Sequence, residues 1–273
     1  MPFTFSEPIR VFYEKYDEAN RLTTGAFQLE LARTQDILRR HLPAPPAVIF
    51  DIGGGPGVYS CWLAQLGYQV HLLDPVPSHI AQAKQLAAQR NAPVASMTIG
   101  DARQLDFADN SADIVLMLGP LYHLLEPKDR RAALQEAHRV LRQGGSLFAA
   151  VISRFASALD GLFQGLLDDP QFAQIVERDL RDGKHLNPTN NIIYFTESYF
   201  HRVEELAEEI KAAGFHYEKT LAIEGPGGWL QNFDAWWNEP ARRKRLLDLM
   251  KKLENEPSLI GVSAHVMGIA RKP

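Results

Sequence analysis

The sequence predicts an α/β fold: a mostly parallel sheet with helices on both faces and a cap built from insertions. Three observations carry that prediction. Short apolar runs alternate with stretches of helical periodicity, the pattern of βαβ units joined by right-handed crossovers. A glycine-rich run, Gly53-Gly54-Gly55-Pro56-Gly57, directly follows the first apolar run. Acidic or turn residues then close the next three runs, at Asp74, Asp101 and Gly119-Pro120.

The elements follow in order. Residues 27–41 have helical spacing, with Leu29, Ala32 and Ile37 against Arg33, Asp36 and Arg40. Pro43, Pro45 and Pro46 stop that helix, because proline lacks the amide donor and restricts its predecessor. Residues 47–52 form a first strand, apolar enough for burial on both faces. A helix over 58–66 ends at Gly67. The strand 69–73 closes on Asp74-Pro75, and the helix 77–90 turns Ile80, Ala83 and Ala87 inward. Strands follow at 95–99 and 113–118, then a helix at 128–141, and after Gly144-Gly145 a fifth strand at 146–152. Regularity breaks between Ser153 and Ser198, where 183–191 reads as a polar loop. A helix at 197–213, a sixth strand at 215–223, a second insertion at 224–257 and a seventh strand at 263–270 complete the chain.

Bulk properties narrow the function classes. The 273 residues fit one large domain or a core with a cap, and 45% hydrophobic with 23% charged is ordinary for a globular protein. Net charge is −4, so no global attraction to nucleic acid is expected. The N-terminus lacks a signal-peptide core, and no apolar run reaches the roughly 18 residues of a membrane span. The single cysteine, Cys61, excludes an internal disulfide and a cysteine-based zinc site. Its use favours a reducing, cytoplasmic setting, and its apolar neighbours predict burial. No metal is expected.

In open α/β sheets, ligands bind beyond the carboxyl ends of the strands, where strand order switches. Glycines after the first strand let the backbone turn tightly and approach a ligand without a Cβ clash. Asp74 is placed to accept hydrogen bonds from ribose hydroxyls. The dinucleotide spacing is absent, since counting from Gly53 puts Val58 at the last glycine position; no Lys-Ser or Lys-Thr of a phosphate loop follows either. A glycine run alone is equally compatible with a plain strand–helix turn.

The arrangement Asp51-x-Gly53-x-Gly55-x-Gly57 resembles the first motif of the class I S-adenosylmethionine-dependent methyltransferases. The likeness extends over residues 47–152 through Gly100-Asp101-Ala102, Asp113-Ile114-Val115-Leu116 and residues 136–145, and over the last two strands. It is nearest to the small-molecule branch that includes ubiquinone and menaquinone biosynthesis enzymes. The resemblance implies a Rossmann-like seven-stranded sheet of order 3-2-1-4-5-7-6 with strand 7 antiparallel. It also implies that Asp51, Gly53, Gly54, Gly55 and Gly57 pass beneath the methionine part of S-adenosylmethionine, and that Asp74 with Pro75 binds the ribose. Asp101 and Ala102 then meet the adenine, Leu118 and Gly119 complete the wall, and the product is S-adenosylhomocysteine.

Other candidates surround this site. Tyr122 and His123 follow the fourth strand where relatives hold the acceptor, and His123 is a candidate general base or a packing residue. His201 is a second candidate base. Tyr13 and Tyr16 share one helical face in a segment that either folds over the cofactor as a lid or simply docks by its aromatics, and Arg21 is a candidate partner of the cofactor carboxylate. Tyr194, Trp229, Trp236 and Trp237 suit the wall of a site for a planar or apolar acceptor, and equally suit ordinary packing. Gly225-Pro226-Gly227-Gly228 reads as a mobile loop at the pocket mouth. Arg242-Arg243-Lys244-Arg245 with Lys251-Lys252 reads as the solvated side of an amphipathic helix whose apolar side is Leu246, Leu249, Met250 and Leu253.

The expected organisation is a helical lid at 1–42, a cofactor-binding core at 43–152, a cap insertion at 153–202, and the rest of the core at 203–273 with a second insertion at 224–258. The expected partner is a small-molecule acceptor of O, N or C type, methylated by in-line displacement. A tRNA-modifying enzyme, motivated by the basic helix, and a non-catalytic cofactor-binding protein are the alternatives.

Overall fold

A computed structural model describes residues 7–189 and 191–273; the extreme N-terminus and Asn190 of the expected polar loop lie outside the described residues. Seven strands build one sheet: β1 (Val48–Ile52), β2 (Gln69–Asp74), β3 (Ser96–Ile99), β4 (Ala112–Met117), β5 (Leu141–Ile152), β8 (His216–Ala222) and β9 (His265–Arg271). Their order is β3-β2-β1-β4-β5-β9-β8. Setting aside two two-residue strands, β6 (Lys184–His185) and β7 (Ser198–Tyr199), this is the expected 3-2-1-4-5-7-6 order. The pairs from β3 through β5 are parallel, and β9 runs antiparallel to both β5 and β8.

Alternation along the central strands divides the core. Phe50, Ile52, Val115, Met117, Leu147 and Ala149 face α6 (Pro127–Val140) and α9 (Val203–Ala212). Ile49, Ile114, Leu116 and Phe148 face α3 (Phe27–His41) and α4 (Val58–Gln65), through Ile37, Leu38 and Leu63. The helix boundaries obey local chemistry. Both α5 (Pro77–Arg90) and α6 open with proline at a position that needs no amide donor, and α5 ends on Asn91 in the left-handed conformation. Cys61 is fully buried in α4.

Four local expectations need correction. The helix expected at 197–213 begins only at Val203, because Glu205 accepts from the Arg202 amide at 2.9 Å and fixes the helix start there. Upstream, Ser198–Tyr199 pairs antiparallel with Lys184–His185, so a small ladder takes one strand from the expected polar loop and the other from the start of the expected helix. The glycines at 225–228 form an ordered helical turn rather than a free loop: Gly225 and Gly227 are buried against the Met250 sulfur. On α11 (Pro240–Leu253), Leu246 and Met250 are buried but Leu249 is 50% exposed, since the helix docks through a narrower stripe than its four leucine and methionine positions suggested.

The first insertion supplies α7 (Ala156–Gln164) and α8 (Pro170–Asp182), and the second supplies α10 (Phe233–Trp237) and α11. The N-terminal segment supplies α1 (Glu7–Lys15) and α2 (Glu18–Arg21). Among the described residues, no helix is long and apolar enough to cross a membrane.

Candidate active site

The glycine loop leaves β1 under tight steric control. Gly53, Gly55 and Gly57 have φ of 71°, 55° and 79°, the left-handed region that favours glycine. A Cβ on Gly54 would lie 2.7 Å from the Asp51 carboxylate. A Cβ on Gly55 would meet nothing closer than His79 Nδ1 at 4.0 Å, so it would project into the space that the loop encloses. Gly57 has a different duty: its missing Cβ admits Leu72 and Ala83, each 3.1 Å away, and lets α4 pack on the sheet.

Asp74 ties this loop to the end of β2. Its Oδ2 accepts from the Gly55 amide at 2.8 Å, and its Oδ1 accepts from the Val76 amide at 2.9 Å beside His79 Nδ1 at 3.1 Å. Three of about four acceptor sites on the carboxylate are thus used, leaving one toward the cavity. Asp51 is 1% exposed; its Oδ2 accepts from the Ser60 hydroxyl at 2.6 Å and its Oδ1 has no protein partner. Burial pushes the Asp51 carboxyl up to about 6, against the opposing pull of Ser60. Asp101 is held by the Arg103 side chain and backbone. Asp51, Gly53, Gly54, Gly55, Asp74, Pro75, Asp101, Ala102, Leu118 and Gly119 all line one cavity at the carboxyl ends of the strands.

The N-terminal helices close over it. Tyr13 on α1 lies with its hydroxyl 2.7 Å from His123 Nε2 in the turn after β4. Burial pushes His123 down to about 4 and raises Tyr13 and Tyr122 above the ordinary phenol value. Arg21 is gripped at both ends of its guanidinium, by Glu30 at 2.5 and 3.0 Å and by Glu18 at 2.9 Å.

A second, larger cavity of about 420 Å³ opens from this junction. Tyr13, Glu18, Arg21, Tyr122 and His265 line both spaces. The larger one is also walled by Tyr16, Phe27, Phe172, Tyr194, Phe195, Phe200 and Trp229. Its volume and aromatic lining are those of a small-molecule site. The Tyr194 hydroxyl donates to Asp169 at 2.6 Å, and the Trp229 indole donates to the Val262 carbonyl at 2.6 Å, so both rings are fixed.

Three expected site residues stand elsewhere. His201 lines neither cavity; it is 1% exposed beside β5, edge-on to Tyr199 and 3.4 Å from Glu209, and burial lowers its pKa. Trp237 is buried with Phe233, Leu246 and Met250, where it locks α10 to α11, and Trp236 packs on the same cluster under the Arg242 guanidinium. Sequence reasoning missed His79, Ser157, Asp160, Glu224 and His265, all cavity-lining. Glu224 and His265 meet at 2.6 Å; despite burial, Glu224 and Glu30 hold His265 above its ordinary value. The Glu30, Glu224 and His265 ligand-type atoms lie within 4.8 Å of one another, but Arg21 and the Glu224–His265 contact already balance their charge.

Comparison with known proteins gives consistent matches. A family model described as a methyltransferase domain covers residues 50–149. A demethylmenaquinone methyltransferase of Corynebacterium efficiens is 31% identical over 222 residues, covering 78% of this chain and 86% of the relative. A ubiquinone biosynthesis O-methyltransferase of Methylobacterium nodulans is 35% identical over 129 residues, 45% of this chain; the match spans about half (49%) of that relative. Among solved structures, an S-adenosylmethionine-dependent methyltransferase of Methanosarcina mazei superposes with a TM-score of 0.60 at 19% identity, covering 86% of this chain and 96% of that one.

Proposed function

The chain belongs to the S-adenosylmethionine-dependent methyltransferases, and on that premise we propose that its methyl acceptor is a small molecule with a planar or apolar body. The observation that carries this reading is the aromatic cavity of about 420 Å³, which shares Tyr13, Tyr122 and His265 with the space at the glycine loop. An acceptor in the larger space meets the cofactor at that shared wall.

S-Adenosylmethionine, when bound, supplies an electrophilic methyl on a sulfonium sulfur, so the protein's part is alignment and exclusion of water. The residues at the smaller cavity suit it. The open side of Gly55 admits close backbone approach, and the free acceptor site on Asp74 suits a ribose hydroxyl. The unpartnered, buried Asp51 Oδ1 suits the ammonium of the methionine part. Ala102, with Asp101 at its side, borders the base, and α1 with α2 acts as the lid. Arg21, engaged by Glu18 and Glu30, orders that lid first and reaches a carboxylate only by exchanging a partner.

His123 acts here as a positioning residue for Tyr13. An imidazole pushed down to about 4, whose Nε2 is already hydrogen-bonded to a phenol, withdraws protons poorly. Part of the basic run on α11 is used locally: Lys244 pairs with Asp248 at 2.6 Å, and Arg243 covers Trp237. That use favours a small acceptor over RNA.

The test is transfer of labelled methyl from S-adenosylmethionine into fractionated cell extract. Label in the RNase-insensitive low-mass fraction is expected; label confined to RNase-sensitive material would overturn the proposal.

A further inference from the structure

The wall of the larger cavity carries an unbalanced charge. Of its charged residues, Arg21 is held by Glu18 and Glu30, and His265 by Glu224. Asp160 is the exception. It lines the cavity from α7, and among the described residues it has neither a hydrogen bond nor an ion pair. Burial raises its pKa, with no neighbouring charge acting on it. Asp160 is only partly buried, so its carboxylate stays open to the cavity, and an unpaired carboxylate on a largely apolar wall is a group whose counter-charge a ligand can supply.

A second observation on the same helix points the same way. Ser157 is 6% exposed, its hydroxyl has no partner, and it lines the same cavity. Gln164, exposed at the rim, lines it as well. Ser157, Asp160 and Gln164 are three and four positions apart, so they form one ridge along α7. The rest of the cavity around them is largely apolar: Ala156, Phe172 and Phe195. Neither Ser157 nor Asp160 lines the glycine-loop cavity, so the ridge lies beyond the junction marked by Tyr13 and Tyr122.

We propose that the ridge Ser157–Asp160–Gln164 binds a protonated amine on the acceptor, at the end remote from the atom that receives the methyl group. The inference rests on the small-molecule reading above and names its substrate class: an aromatic or otherwise apolar body carrying an ammonium group. Asp160 supplies the counter-charge and Ser157 an acceptor for a second N–H. The aromatic wall holds the body, and the nucleophilic end reaches the junction.

Three matched probes test it on the full chain saturated with S-adenosylhomocysteine: tyramine, the neutral alcohol tyrosol, and 3-(4-hydroxyphenyl)propionate, compared by calorimetric titration. Tyramine should bind at least about 10-fold tighter than tyrosol, the size of a charge-assisted hydrogen bond, and the carboxylate weakest. Asp160→Asn should remove the tyramine preference and leave tyrosol affinity within about twofold. Ser157→Ala should reduce the preference in part. Asp160 has no partner to lose, so the variant should keep the parent's thermal shift with S-adenosylhomocysteine, which reports an intact fold. Equal binding of the three probes, or a preference that survives Asp160→Asn, would overturn the ammonium site while leaving the small-molecule reading intact. Binding of none, with label passing only to RNA, would overturn both.

Discussion

Tyr13 and His123, 110 positions apart, join the first helix to the turn after β4 through a hydrogen bond of 2.7 Å. Burial keeps both partners uncharged at pH 7, so this is a hydrogen bond between a neutral phenol and a neutral imidazole. One bond therefore holds the first helix against the part of the core where the two cavities meet.

Tyr13→Phe removes the hydroxyl and leaves a buried ring nitrogen without that partner. Loss of about 1–2 kcal/mol in urea unfolding is expected. A change below about 0.3 kcal/mol would mean that the lid does not hold this bond in solution.

His123 should contribute no ionisation to catalysis near neutrality. With its pKa pushed down to about 4, it is already unprotonated at pH 6. His123→Asn should thus leave the shape of the kcat/KM profile between pH 6 and 8 unchanged, whatever it does to the height. A limb near pH 6.5 that disappears in the variant would make His123 the general base after all.

Asp74 gathers the Gly55 and Val76 amides and lines the glycine-loop cavity. At about 100 times its Kd, S-adenosylhomocysteine should stabilise the parent protein by roughly 2.7 kcal/mol. Asp74→Ala should abolish most of the corresponding rise in Tm. An undiminished rise in the variant would remove Asp74 from the binding site.

Asp51 gives the site a pH dependence whose sign follows from its raised pKa. Below about pH 4 the carboxyl is protonated in the folded and unfolded chain alike. Between there and about 6 the unfolded chain ionises first, so this group lowers the stability of the cofactor-free protein as pH rises. An ammonium placed against Asp51 favours the ionised form, so affinity for S-adenosylhomocysteine should rise about 10-fold from pH 5 to pH 7 and then level. Asp51→Asn should flatten that curve, and an unchanged slope in the variant would assign the effect to another group.

Glu254 anchors the second insertion. It accepts from Arg33, which is 1% exposed, and from Arg40 at 2.7 and 2.8 Å. Glu254→Ala leaves the Arg33 guanidinium buried without this partner, and a loss of about 3–5 kcal/mol is expected from chemical denaturation. A loss below about 1 kcal/mol would mean that Asp36 and the Ile223 carbonyl satisfy Arg33 unaided.

The sequence by itself determined the sheet, its strand ends and the glycine loop, because those features rest on local rules. A strand buried on both faces must be apolar along its length, and a loop with positive φ at 53, 55 and 57 calls for glycine there. Asp51, Asp74 and Asp101 stood out because they lie at strand ends, where parallel sheets of this kind bind ligands, and all three line one cavity. Tertiary structure alone decided the cap. Trp229 lines a cavity while Trp236 and Trp237 pack a helix pair, though all three occur in the same insertion with similar surroundings in sequence. His265 reaches the site from β9 and His201 does not, because which face of the fold a side chain meets depends on pairings between residues far apart in the chain. The unpartnered Asp160 and Ser157 are likewise invisible without the structure. Whether a polar group has a partner is a property of its neighbours in space, which residue type and periodicity do not carry.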